Sequence, residues 1–387
     1  MEYGEQFGQS FPREEFERRL DAVRRGMAEK GLDALLQFSP ANLFYLTGYS
    51  TAGFNNWQCL VVPLTGEPVL VLRLLERPIA LATAWTESIE TYQDHEEPEA
   101  AVARTLNDLD LSNASLGAEQ TSPFLTVGSY NKLNGLVGGR LTDGTGIVES
   151  VRLIKSELEL TYFRRAARST EAGMEAAVDA IAEGKTENEV VAESYRAMTA
   201  TGGEFFCNSP ILTSGPKSGI AHTTYHRRKL ERGDPVAIEI GATWNRYTSP
   251  MFRTAAVGEA TAELRRMHDA CTEALEAAIE AIRPGARSRD VQEACQKVID
   301  ARGFEPHFRK RVGYGLGVGY PPTWGEGHII DLKHHDEREL RPNMVFHVVP
   351  ALRENGEYGV GVSETVAVTE SGHEVITDFL RELFIRG

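Results

Sequence analysis

Apolar positions recur at helical spacing from Arg13 to Lys30, and the pattern stops at Gly31. The next segment, "ALLQF", is a short unbroken apolar run and predicts a buried strand; "ANLFYLTGY" follows it. "WQCLVVPLTGEPVLVLR" predicts a hairpin turning at Thr65-Gly66-Glu67-Pro68. Further α/β alternation runs to "RLTDGTGIVESVRLIKS" and closes a first domain over residues 1–155.

A second pattern begins there and fills residues 156–387. Glu157 to Ile181 predicts a long amphipathic helix with Leu160, Phe163, Ala167, Thr170 and Met174 on one face. Ser156 is its expected N-cap, with Glu159 completing a capping box. "TENEVVAESYRAMTATG" predicts another helix, and strand-like runs follow in "NSPILTSG" and "PVAIEIGATWNRYTSPMFRTAAVG". Helices are expected again from about Ala260 to Ile282, stopped by Pro284-Gly285, and from Ser288 to Arg302-Gly303. "MVFHVVPALRE" and "VGVSETVAVTESG" then predict a pair of strands. Helix-helix-strands occurs twice. The expected fold is α+β, two αα-plus-antiparallel-sheet halves with helices on one face and a pocket between the halves.

Composition narrows the function. The apolar fraction of 41% and charged fraction of 25% are those of a globular chain with a substantial core. A net charge of −15 argues against nucleic acid or an anionic membrane surface as partner. No apolar run approaches the roughly 18 residues of a membrane helix, and the polar start "MEYGEQFGQSFPREEFERRL" lacks signal-peptide character, so a cytoplasmic location is expected. Cys59, Cys207, Cys271 and Cys295 show no metal-ligand spacing and are expected as buried thiols. The glycine-rich "RVGYGLGVGYPPTWGEGH" matches no phosphate-loop pattern and is expected to shape a pocket.

Five segments in order resemble the pita-bread family of methionine aminopeptidases, prolidases and creatinases. They are the helix "LIKSELELTYFRRAA", the run "GIAHTTYHRRKLERGDPVAIEIGATWNRYTSPMFRT", "RVGYGLGVGY", "LRPNMVFHVVPAL" and "VGVSETVAVTESG". The first domain, down to "NLFYLTGY", is similar to the N-terminal domain of the prolidase and creatinase branch. The resemblance implies a pita-bread catalytic domain over residues 156–387 and a smaller α/β domain over 1–155.

The family's peptidases hold two divalent metals with Asp, Asp, His, Glu and Glu. The corresponding positions here carry Glu239, Pro250, Tyr314, Val349 and Ser363, with Glu364 beside the last; Pro321 stands where a further histidine is found. Such a set cannot supply the converging hard ligands that two divalent cations need. The expectation is therefore no metal and no other cofactor.

The creatinase branch hydrolyses a C–N bond without metal, using a His twelve residues before the Asp of "GD". His222 stands at that spacing from Asp234. The resemblance implies that it takes a proton from water and returns it to the leaving nitrogen; histidine as a residue type suits both steps. The alternative is a structural His near a strand end. Phe54 matches an aromatic that creatinase lends across its dimer interface, whereas Asn56 replaces the carboxylate-reading arginine. The family's Glu before Pro is Val349 here, and Phe252 occupies another of creatinase's carboxylate positions.

"GYPPTWGE" resembles the ectoine hydrolase branch, whose substrate is a cyclic amidine with a carboxylate. The implied reaction is metal-independent C–N hydrolysis of a small cationic or amidine compound by a homodimer. His222, Glu239 and Tyr314 are the expected catalytic residues; Phe54, Trp324, Glu326, His347 and Glu364 are the expected substrate contacts. For Glu326, His347 and Glu364 the solvated or strand-end reading stands equally open. Tyr320 reads as packing, and His334-His335 as solvated loop. Rival readings are a divergent Xaa-Pro dipeptidase with one metal on Glu239, His222 and Glu364, a creatinase-like amidinohydrolase, and a non-catalytic binding protein.

Overall fold

The computed structural model describes residues 8–387. The chain divides into two compact units, one ending at Arg152 and the other beginning at Leu153.

The first unit is a mixed sheet with helices. Its strands are β1 (Ala34–Gln37), β2 (Cys59–Pro63), β3 (Val69–Arg73), β4 (Ile89–Tyr92), β5 (Leu116–Ala118) and β6 (Leu141–Asp143), in spatial order β4-β3-β2-β1-β5-β6. The expected hairpin is β2-β3, antiparallel across the Gly66 turn, and "ALLQ" is the fully buried β1. The helices are α1 (Arg13–Glu29), α2 (Pro40–Thr47), α3 (Arg77–Thr83), α4 (Pro98–Asp108), α5 (Val127–Leu136) and α6 (Ile147–Arg152). α1 ends where Gly31 takes a φ of 64°, a conformation that only glycine adopts at little cost.

The second unit opens with α7 (Glu157–Asp179) and α8 (Glu187–Ala200). Ser156 and Glu159 form the expected capping box on α7, satisfying two otherwise orphan N–H groups and contributing roughly 1 kcal/mol. Leu160, Phe163, Ala167, Thr170 and Met174 are all buried, as the periodicity predicts. Against this helix pair lie β7 (Ile211–Ser214), β8 (Pro235–Ile240) and β11 (Met251–Val257), with the short hairpin β9 (Thr243–Trp244) and β10 (Tyr247–Thr248) between the last two. The second half repeats the plan with α9 (Ala262–Ala281), α10 (Ser288–Ala301), β12 (Gly313–Tyr320), β13 (Thr323–Gly325), β14 (Asp331–Leu332), β15 (Val345–Val348) and, after the hairpin β16 (Ala351–Glu354) and β17 (Tyr358–Gly361), β18 (Glu364–Val368). β19 (His373–Val375) and β20 (Phe384–Arg386) finish the chain.

The repeat is visible in the cores. Met174, Val178, Val190 and Met198 pack on Val236, Ile238 and Ile240; Leu264, Met267, Val291 and Ile299 pack on Phe346, Val348 and Val366. The strands form an eight-stranded sheet, a four-stranded sheet in the order β20-β11-β8-β7, and the β16-β17 ribbon, rather than one continuous sheet per half. Strands alternate faces with period two. Ile238 and Ile240 therefore enter the core while Glu239 faces away from it, and Phe346 and Val348 do so while His347 faces away. All four cysteines are free and buried.

Among the core side chains is a titratable one. His268 on α9 is 3% exposed, and its Nε2 has no hydrogen-bond partner. Burial pulls its pKa down to about 4. Between about 4 and the unfolded value near 6.5 the unfolded chain binds more protons, so stability falls as pH drops through that window, by about 3 kcal/mol when complete. His268→Gln is expected to flatten this loss. Urea midpoints of both proteins at pH 7 and pH 4.5 check it; parallel acid losses in the two would sink the assignment.

Candidate active site

The pocket is a cavity of about 480 Å³ in the second unit, of a size suited to a small ligand. Glu239, Tyr314 and Trp324 line it, together with His222, Lys310, Arg311 and Arg353.

Glu239 comes from β8, opposite Phe252 on β11 and Ile211 on β7. Its side chain is 14% exposed. Ala237, Phe252, Val349 and Ala351 form a small apolar cluster with Tyr314 packed against it. Phe252 and Val349, expected from the resemblance at carboxylate positions, thus form an apolar floor. Burial pushes the Glu239 carboxyl above its usual range, while the charges of Lys310, Arg353 and His222 pull it back. His222 is exposed at the pocket rim, in the loop after a 3-10 turn at Gly215–Gly219, with a φ of 62°. A positive φ is uncommon for a residue with a Cβ.

Tyr314 and Trp324 are brought together by a hairpin. β12 returns through Pro321-Pro322, joined by a cis peptide, into β13, pairing Tyr320 with Thr323 and Leu316 with Gly325. The return sets Trp324 Nε1 2.9 Å from Tyr314 Oη, to which it donates. Gly325 is needed there, because a Cβ would lie 2.9 Å from the Tyr314 ring. Burial pushes the Tyr314 hydroxyl far above its usual pKa, and the Glu239 charge adds to this. The Arg311 guanidinium lies 5.1 Å from the Tyr314 ring centre and pairs with Asp331 at 2.7 Å.

Four expected substrate contacts lie outside this lining. Glu326 is buried, 3.4 Å from Lys155 Nζ, and accepts the Val318 N–H at 3.0 Å; Gly317 makes room for its carboxylate. Glu364 is 1% exposed and pairs with Arg253 at 2.7 Å and Arg381 at 2.8 Å, also accepting from Thr377. Both carboxylates compensate buried cations and lie outside the pocket lining. His347 sits behind Tyr314, its cross-strand partner, and is fully buried. Phe54 belongs to the first unit, where its ring meets Phe124 edge-on at 6.5 Å. Tyr320 is buried under the Arg246 guanidinium, outside the pocket lining, and His334-His335 are exposed.

Two pocket residues were missed. Lys310 and Arg353 are half-buried and line the pocket with Glu239. Neither has a hydrogen-bond or ion-pair partner among the described residues. Burial pulls Lys310 down to about 8, with Glu239 opposing, and lowers Arg353 as well. The signal was present: "RKR" at Arg309-Lys310-Arg311 is a cationic run just before the glycine-rich strand in an otherwise acidic chain.

Comparison with known proteins agrees with this architecture. Residues 161–370 match the model of metallopeptidase family M24, and residues 19–154 match the creatinase/prolidase N-terminal domain. The chain belongs to metallopeptidase family M24, with the pita-bread fold, and is a hydrolase of C–N bonds. It is 33% identical to the ectoine hydrolase of Halomonas elongata over 97% of this chain and 98% of that one. It is 26% identical to the Xaa-Pro dipeptidase of Pyrococcus furiosus over 94% and 99%. Among solved structures, dipeptidase PepE from Mycobacterium ulcerans superposes with a TM-score of 0.83 at 26% identity, covering 98% of this chain and 99% of that one.

The family name implies a metal centre, and the donor set does not fit one. Of the positions corresponding to the five metal ligands, Glu239 alone carries a carboxylate, and the cations Lys310 and Arg353 share its pocket. Among the described residues no three His, Cys, Asp or Glu side chains converge on a point that could hold a metal ion.

Proposed function

We propose that the chain hydrolyses, without metal, a C–N bond of a small dipolar compound: a cyclic amidine carrying a carboxylate, such as ectoine. The observation that carries this reading is the charge pattern of the pocket. One enclosed carboxylate, Glu239, faces the same 480 Å³ as two cations, Lys310 and Arg353, neither of which has a hydrogen-bond or ion-pair partner among the described residues. A buried charge is costly unless paired. An amidinium would pair Glu239, and a carboxylate would pair Lys310 and Arg353. The carboxylate reader lost at Asn56 is thereby rebuilt within the catalytic domain. The 33% identity to an ectoine hydrolase supports the same substrate class.

In this reading water attacks the amidine carbon and His222 takes its proton. The C–N bond breaks as that proton passes from His222 to the leaving nitrogen, and the hydroxyl's remaining proton is released as the amide C=O forms, leaving the freed amine as an ammonium. Trp324 and Tyr314 offer aromatic faces to the cation. The protein acts as a cytoplasmic homodimer, with Phe54 of one subunit completing its partner's pocket. The test is hydrolysis of ectoine, hydroxyectoine, creatine and Xaa-Pro dipeptides, followed by mass spectrometry, using protein purified without added metal. Turnover of ectoine that survives chelation is the expected result. Stoichiometric tightly bound metal, with dipeptide cleavage lost on chelation, would establish the dipeptidase reading that the 26% identity to an Xaa-Pro dipeptidase favours.

Lys310 gives a pH test. Its charged form binds the carboxylate, so KM is expected to rise about tenfold per pH unit once pH exceeds about 8. Lys310→Arg, charged throughout, is expected to hold KM flat to pH 10. Equal pH dependence in both proteins would remove Lys310 from the site.

A further inference from the structure

Behind the pocket wall runs a chain of hydrogen bonds whose donors and acceptors can be counted. The Phe252 N–H donates to Ser363 Oγ at 2.7 Å. Ser363 Oγ lies 2.6 Å from His347 Nε2, His347 Nδ1 lies 2.8 Å from Tyr314 Oη, and Trp324 Nε1 donates to the same Oη at 2.9 Å. Burial holds the His347 imidazole well below its usual pKa, and Lys310 and Arg253 add to this, so the ring is neutral and carries one N–H.

That hydrogen can sit on either nitrogen, and the two choices differ in what they strand. With Nε2–H, Ser363 Oγ accepts from both Phe252 and His347. Its own hydrogen then has no acceptor among the described residues, at a fully buried position. A stranded buried donor costs about 1–3 kcal/mol. With Nδ1–H, Ser363 accepts from Phe252 and donates to Nε2, and His347 donates to Tyr314. The donors of Phe252, Ser363, His347 and Trp324 are then all satisfied, and only the Tyr314 hydrogen is left over. Tyr314 Oη receives two hydrogens, from Trp324 and His347, so its own must point in a third direction, into the cavity that Tyr314 lines.

We infer that Ser363 and His347 are positioning residues that fix Tyr314 as a hydrogen-bond donor aimed at the reacting centre. This rests on the reading of the pocket as a hydrolase site for an amidine carbon. As water's oxygen bonds to that carbon, one of its protons goes to His222 and later to the leaving nitrogen; the other leaves the hydroxyl as the C–N bond breaks and the C=O forms, and ends on the freed amine, which departs as an ammonium. Tyr314 keeps its own proton and donates a hydrogen bond to the oxygen as it becomes part of the product amide. A donor fixed before the reaction needs no reorganisation at the transition state. Ser363 occupies a position where relatives carry a metal-binding Glu. The inferred relay turns a former ligand position into the anchor of a protein-borne electrophile.

The experiment is nitrogen NMR of the protein labelled with ¹⁵N-histidine at neutral pH, the His347 signal assigned by its loss in His347→Gln. Bare and protonated ring nitrogens have distinct shifts. The expected result is Nδ1–H with a bare Nε2, the tautomer that free histidine disfavours. In Ser363→Ala the Nε2 nitrogen loses the hydroxyl that donates to it, so its signal is expected to move to that of a bare nitrogen without a hydrogen bond while Nδ1 stays protonated. Turnover of ectoine is expected to fall about tenfold or more in kcat with KM near the parent's, because part of a transition-state donor's effect of about 10²–10³ is lost. Ser363→Thr, which keeps the hydroxyl, should restore both. Nε2–H in the parent overturns the relay even if Ser363→Ala fails to fold. The tautomer needs no substrate, so Nδ1–H without turnover of any amidine would leave the relay standing and sink the functional reading.

Discussion

Replacing His222 with alanine is expected to lower kcat for ectoine by about 10²–10⁴-fold, the usual worth of a positioned proton-transfer group. KM and thermal stability should stay near the parent's. The side chain is exposed at the rim of the pocket, so it contributes little to packing, and the groups assigned to hold the substrate are Glu239, Lys310 and Arg353. Steady-state kinetics of both proteins with melting curves alongside make the check. A rise in KM at constant kcat would make His222 a binding residue. A kcat within threefold of the parent's would leave the reaction without its proton shuttle.

Glu364→Gln is expected to produce the opposite pattern. Glu364 is 1% exposed and Arg253 is fully buried, and they pair at 2.7 Å with Arg381 on the same carboxylate. Gln keeps the shape and removes the charge, leaving a buried guanidinium without its counter-ion. Breaking such a pair costs about 3–5 kcal/mol, which for a unit of this size lowers Tm on the order of 10 °C. The folded fraction should retain the parent's KM, because Glu364 does not line the pocket. Undiminished Tm with a changed KM would return Glu364 to the site as a substrate or metal contact.

Of the eight residues expected at the candidate site four line the pocket, and Glu364, Glu326 and His347 depart from expectation for related reasons. Glu239, Tyr314, Trp324 and His222 line one cavity, as their motifs imply. Ser363 and Glu364 are neighbours in sequence, yet one bonds His347 and the other bonds Arg253. Successive strand residues face opposite ways, so proximity to a motif does not say which side a carboxylate serves. Glu326 follows Trp324 closely, but its carboxylate is drawn to buried Lys155, 171 residues earlier in the chain. His347 was legible as a polar residue in an apolar strand. That it backs Tyr314 follows from the β12-β15 register, which no local pattern encodes.

The sequence alone determined the long helices, the Ser156–Glu159 cap and the doubled helix-helix-strand order. These are local: a capping box or a 3.6-residue period acts within a turn or two of chain. The tertiary structure alone decided which charges meet. Lys310 and Arg353 are 43 residues apart in sequence, and Glu239 comes from the other half of the repeat, yet all three line one cavity. The physical reason is that charges share a pocket through sheet pairing and chain crossing. Their energy depends on distance and burial, and both are set only when the two halves close on one another.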